Sequence, residues 1–101
     1  MAVLIDQPRW PAHGTLWCHL VSDESLSELH DFARRLELPP RSFDLDHYDV
    51  PARRHEELVA AGAQPVVIRE LVVRLRASGL RVTGRERRSA SGTRIDQLLP
   101  D

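Results

Sequence analysis

Residues 42–62 read SFDLDHYDVPARRHEELVAAG. Residues 42–50 alternate, which predicts a strand with Phe43, Leu45, His47 and Asp49 on one face and Asp44, Asp46 and Tyr48 on the other. Pro51 suits the first turn of a helix, with Asp49 or Val50 near its cap. That helix runs through residues 52–61 and ends at Gly62, placed where a C′ glycine frees the chain to turn. A strand that passes directly into a helix points to an α/β layer arrangement.

The flanking sequence extends this unit in both directions. AVLID at 2–6 is a short apolar run ending in an acid, and it reads as a buried strand. QPRWPAHG at 7–14 breaks regular structure with Pro8, Pro11 and Gly14. TLWCHLV at 15–21 is a second strand, with Trp17, His19 and Val21 opposite Leu16, Cys18 and Leu20. SDESLSELHDFARRLEL at 22–38 is a helix whose stripe is Leu26, Leu29, Ala33 and Leu36. Ser25 and Glu28 have capping-box spacing, with Asp23 as the alternative cap. Pro39-Pro40 is expected to stop this helix. AQPVV at 63–67 adds a short strand, and Ile68, Leu71, Val72 and Leu75 give a last helical stripe ended by Gly79. The expected fold is a single small α/β sandwich over residues 1–80, with a partly parallel sheet of three or four strands and about three helices. Residues 81–101 read as a polar, basic, mobile tail, with a brief ordered segment expected at 95–99.

Composition removes several classes of function. Cys18 is the only cysteine, so an intramolecular disulfide and a multi-cysteine zinc site are excluded. No apolar stretch approaches the roughly 20 residues of a membrane span. MAVLIDQPRW lacks a secretory signature, so a cytoplasmic location and no membrane partner are expected. Residues 1–50 hold nine acids and four arginines, a net of −5, whereas residues 51–101 hold six acids and ten arginines, a net of +4. All fourteen basic residues are arginine, the side chain best shaped for planar pairing with carboxylate or phosphate. Biased codon usage would produce the same enrichment. A nucleotide or a nucleic acid is the compatible partner class, and a homodimer is equally compatible with this sequence.

Five histidines in this chain raise a metal hypothesis. His19, His30 and His47 fall in predicted regular elements beside apolar partners, and Asp6 and Asp49 are the carboxylates expected at strand ends. Imidazole and carboxylate together bind zinc, manganese or iron, and a catalytic ion keeps one position open. Asp6 and Asp49 are thus the candidate catalytic acids, His19, His30 and His47 the candidate ligands, and Tyr48 and Arg53 the candidate substrate contacts. Each has a plainer reading: a hydrogen-bonded core histidine, a helix cap at Asp49, a core-edge tyrosine, an Arg53–Glu57 surface pair. His13 in a loop and His55 on a charged helix face are expected to be solvated. No HExxH motif and no glycine-rich phosphate loop is present. Cys18 and His19 are adjacent, so a strand turns them to opposite faces and they cannot form a nucleophile–base pair.

Several short motifs recur in one order: VLID at 3–6, HLVSD at 19–23, ELHDFA at 28–33, His47-Tyr48-Asp49, Arg53, AAGA at 60–63 and an arginine-bearing last helix. In this the chain resembles the small uncharacterised bacterial and phage proteins grouped as domain of unknown function 4031, over residues 2–76. The resemblance implies an architecture and a set of matched polar residues, but no activity. It favours Asp6, His19, Asp23, His30, His47, Tyr48, Asp49 and Arg53 over His13 and His55. It leaves Asp31 outside the pattern and makes residues beyond 80 an extension.

Three functions stay open on the sequence. One is a small metal-dependent hydrolase acting on a phosphodiester or nucleotide. The second is a non-catalytic nucleic-acid- or protein-binding module using Arg69, Arg74, Arg76 and the tail. In the third, the His/Asp cluster only braces the fold. The hydrolase reading expects His19, His30 and His47 to meet at one point near Asp6 and Asp49. Imidazoles on opposite sides of the sheet would favour the brace.

Overall fold

A computed structural model describes residues 2–82. Along it run strands β1 (Val3–Ile5), β2 (Trp10–Ala12) and β3 (Thr15–Ser22), then helix α1 (Leu26–Arg35). Strands β4 (Phe43–Asp44) and β5 (His47–Pro51), helix α2 (His55–Ala60), strand β6 (Gln64–Pro65) and helix α3 (Ile68–Ser78) follow. The six strands form one sheet in the order β4-β5-β3-β1-β6, with β2 also on β3. Among the described residues, only β1 and β6 pair in parallel. The α/β sandwich with a partly parallel sheet is therefore present, with more and shorter strands than expected.

Alternation along β3 and β5 divides the interior into two layers. Cys18, Leu20, Tyr48 and Val50 join Val3 and Ile5 against Leu29, Phe32 and Ala33 of α1 and Leu58 of α2. On the other side, Leu4 and Val21 pack with Leu71 and Leu75 of α3. The remaining residues of β3 and β5 on this second side, Trp17 and Pro51 apart, are polar. They include His19 and Asp49, directly opposite one another.

Local chemistry fixes the element ends. Ser25 Oγ accepts the Glu28 N–H at 3.0 Å, so Ser25 is the N-cap of α1. The reciprocal half of the capping box is rerouted: Ser22 Oγ donates to Glu28 Oε1 at 2.5 Å and accepts the Ser25 N–H. Asp23 does not cap this helix. Its carboxylate accepts the Ala2 N–H and two donors of Arg74.

Four expectations are corrected. First, α1 ends at Arg35, before Pro39-Pro40 is reached. Glu37 takes a left-handed φ of 59°, the Leu38 N–H bonds Ala33 O and the Glu37 N–H bonds Arg34 O, closing a Schellman turn. Second, residues 42–50 are not one strand. Leu45 has φ 63° and the Asp46 N–H bonds Asp44 O at 2.7 Å, a three-residue turn that folds β4 back onto β5. Phe43 thus lies opposite Tyr48, and Asp44 opposite His47. Third, Pro51 closes β5, a 3₁₀ turn follows at Ala52–Arg54, and Asp49 is a strand residue and not a cap. Fourth, residues 7–14 are not only a break. Trp10–Ala12 pair with β3, and His13 and Gly14, both with positive φ, make the two-residue hairpin turn. Pro11 is tolerated there because β2 is an edge strand. Arg81 and Val82 still contact the domain, and the tail expected beyond them lies outside the described residues.

Candidate metal centre

The site begins with a fault in the sheet. β1 and β2 both pair with the same edge of β3, but Ile5 faces Leu20 while Trp10 faces Trp17. Residues 6–9 must pass where only Cys18 and His19 stand opposite, so the strand bows out. The His19 N–H, deprived of a strand partner, is taken by Asp6 Oδ1 at 2.6 Å. The other oxygen, Asp6 Oδ2, accepts a hydrogen bond from His19 Nδ1 at 2.8 Å. Asp6 is only 2% exposed. It fixes the ring's tautomer and leaves Nε2 as the outward lone pair.

His47 is held by the same device from a different source. The Leu45 turn places Asp46 behind it, and Asp46 Oδ1 accepts from His47 Nδ1 at 2.6 Å. Asp46 Oδ2 accepts the Val82 N–H at 2.8 Å and Arg81 Nη1 at 3.1 Å. Burial opposes the charge on Asp46, but His47, the Val82 N–H and Arg81 outweigh it and hold the carboxyl down to about 2. Burial likewise opposes charge on His47. Its two carboxylate neighbours, Asp46 and Asp49, outweigh that and push the imidazole up to about 9. His47 Nε2 lies 3.0 Å from Asp49 Oδ1.

His19, His47 and Asp49 therefore share one face of two adjacent strands. One donor atom from each lies within 4.8 Å of the others. The His19 and His47 rings meet edge to face at 5.1 Å, and Trp10 stacks on His19 at 4.5 Å. Two imidazoles and one carboxylate suit a zinc or iron ion, and each imidazole has the buried carboxylate behind it that ligating histidines use. As the side chains stand, the His47 proton occupies the Asp49 contact, so a cation would take that proton's place.

Two cavities open onto this group. One of about 170 Å³ has His19, His47 and Asp46 at its base, with Leu71, Val72 and Leu75 of α3 along its wall. The other, about 510 Å³, is bounded by Trp10, Trp17, Arg41, Ser42 and Asp49.

The sequence candidates divide sharply. His30 is not part of the group. It lies on α1 across the sheet, where Nδ1 and the Tyr48 hydroxyl are hydrogen-bonded at 2.7 Å and Phe43 packs edge-on at 4.7 Å. Alternation puts Tyr48 there too, 5% exposed, so it faces the core and not a substrate. The expected three-histidine site is thus reduced to two histidines and Asp49. Asp6 stands behind His19 with both oxygens engaged, a positioning residue and not an open base. Asp23 belongs to the α3 ion pair with Arg74. Arg53 is exposed and lines a cleft with Asp49, Arg41 and Trp17. Its expected partner Glu57 pairs instead with Arg54. His13 is exposed, whereas His55 is half-buried and its Nε2 bonds Asp6 O at 3.0 Å, steadying the bowed segment. Burial, then Asp6 and Asp49, pushes the Cys18 thiol up to about 12, which makes it inert.

Asp46, Trp10 and Arg41 were missed from the sequence. Acids at 44 and 46 around a single leucine were the available signal for a turn, since aspartate favours turns over strands. Trp10 was hidden by its flanking prolines.

Among the described residues no helix is long and apolar enough to cross a membrane. A family model described as "Protein of unknown function (DUF4031)" matches residues 3–78. No curated protein and no solved structure matches the chain. The match takes in both strands that carry the candidate ligands, and the chain belongs to that family of unknown function.

Proposed function

We propose that this chain is a small metal-dependent hydrolase, with a divalent ion held by His19, His47 and Asp49, acting on a phosphodiester or nucleotide-like substrate. The observation that carries this reading is the doubled arrangement behind the ligands: two buried acids, Asp6 and Asp46, each hold the Nδ1 of one imidazole. A fold that needed only to satisfy two histidines would not also bring a ligand atom of each within 4.8 Å of one shared carboxylate, Asp49. An ion held by these residues would supply Lewis acidity toward a phosphoryl oxygen and an activated water. Hydrolysis forms a bond from water oxygen to phosphorus, breaks the P–O ester bond, and passes a water proton to the departing alkoxide. Asp6 and Asp46 keep the rings oriented through this. Arg41 and Arg53, exposed beside Asp49 and without an ion pair among the described residues, supply positive charge for the phosphate.

Bis(p-nitrophenyl) phosphate turnover by protein reloaded with Zn²⁺, Mn²⁺ or Fe²⁺ tests the chemistry. Activity that one ion restores, a chelator removes and Asp49→Ala abolishes is expected. Absence of turnover with every ion would remove the hydrolase reading.

A second reading has its own support. His47 is already satisfied between Asp46 and Asp49, as a brace for the β4–β5 hairpin would be. The chain would then be a binding module. Its basic surface would lack Arg74, which is committed to Asp23 and Glu70.

A further inference from the structure

The cleft beside Asp49 has walls that a metal site alone does not call for. Trp10 and Trp17 are direct cross-strand partners on β2 and β3, with ring centroids 6.4 Å apart and planes 28° from parallel. The tight turn at His13-Gly14 sets their register. Trp17 Nε1 donates to Ala12 O at 2.8 Å, so its one polar atom is satisfied and only ring surface is left to offer. Both indoles are half-buried, yet both line the open cleft. Arg41 faces it from the 3₁₀ turn at Pro40–Ser42. A neighbouring cleft shares Trp17, Arg41 and Asp49 and adds Arg53. An aromatic wall, the Arg41 guanidinium, which has no ion pair among the described residues, and the candidate metal ligand Asp49 thus surround one space of about 510 Å³, with Arg53 in the adjoining cleft.

We infer that this cleft takes a single nucleotide unit, its base against Trp10 and Trp17 and its phosphate between Asp49 and the guanidinium groups of Arg41 and Arg53. The inference rests on the hydrolase reading and names its substrate class. Indole faces recognise planar bases irrespective of sequence, whereas a sugar phosphate without a base gains nothing from them. Guanidinium matches phosphate in geometry and charge. The volume suits one base with its sugar and phosphate, within the range of small-molecule sites. It does not suit a strand.

The test is calorimetric binding to the full chain, first confirmed to bind one ion. The probes are adenosine 5′-monophosphate, ribose 5-phosphate and a five-nucleotide single strand. Adenosine monophosphate should bind at least tenfold more tightly than ribose 5-phosphate. Arg41→Ala should weaken both by a similar factor. Trp17→Ala should erase the difference between them, Trp17→Phe should keep part of it, and ion stoichiometry should not change in any variant. Should Trp17→Ala not fold, the wild-type preference and the Arg41→Ala result decide the matter. Equal binding of the two phosphates, or no effect of Arg41→Ala, overturns the inference while leaving the metal site standing. A strand that binds more than tenfold better than the mononucleotide overturns it in favour of nucleic acid. A chain that binds no ion removes the hydrolase reading itself and is recognised before any nucleotide is added.

Discussion

The two faces of β3 and β5 are made from the same few residues, taken alternately. Toward α1 and α2 point Cys18, Leu20, Tyr48 and Val50, all at most 5% exposed. Toward the other side point His19, His47 and Asp49, partly open, with each histidine tied to a buried acid. Each face contains a histidine contact, and the two differ in kind. His30 meets a neutral phenol inside an aromatic cluster, whereas His47 lies between two carboxylates. Burial with a neutral partner makes a histidine part of the core. Burial among acids makes a site that prefers positive charge, whether a proton or a metal ion.

The largest expected effect breaks the acid-lined face at its most buried member. Asp46→Ala removes the partner of His47, Arg81 and the Val82 N–H together, and should cost about 3–5 kcal/mol in the metal-free protein by denaturant unfolding. A cost below about 1 kcal/mol would show that the network is incidental. On the core face, Leu20→Ala opens a cavity at a fully buried position and should cost about 2–5 kcal/mol. It should leave ion stoichiometry unchanged, and loss of the ion in folded Leu20→Ala would contradict the independence of the faces.

The acid-lined face should also respond to pH. His47 is raised from its ordinary 6.5 to about 9 in the folded chain. Its contribution to metal-free stability is complete below pH 6.5 and is lost as pH rises through 9, a fall of about 3 kcal/mol. Asp46 acts in the opposite sense: it stabilises above the usual carboxylate range and that contribution is lost as pH falls through about 2. Unfolding curves between pH 6 and 10 for wild type and His47→Gln measure the first effect. The same slope in both would assign it to other groups. The smallest change is His30→Gln, which trims one hydrogen bond to Tyr48 and should cost about 1 kcal/mol with no change in ion binding.

Much of this contrast was legible along the chain. Period-two alternation put His47 with Asp49 and apart from Tyr48, and it separated His19 from Cys18. The helices ended where Gly62 and Gly79 said they would. The side of the sheet on which a helix packs is not written in the helix. His30 bordered an apolar stripe as His19 and His47 bordered theirs, but α1 crosses to the opposite face. Asp46 as a site residue, and the positioning role of Asp6, were hidden for a related reason. Their roles come from irregularities, a bowed edge and a left-handed leucine, which depend on how distant segments align. Leu45 in particular carries no local signal for a positive φ, since a branched side chain disfavours it.

The most direct test of the account is the ion content of folded, dialysed protein for three chains: wild type, His47→Ala and His30→Ala. One divalent ion per wild-type chain is expected, retained by His30→Ala and lost from His47→Ala. Retention by both variants, or loss from both, would contradict a centre built on one face of the sheet.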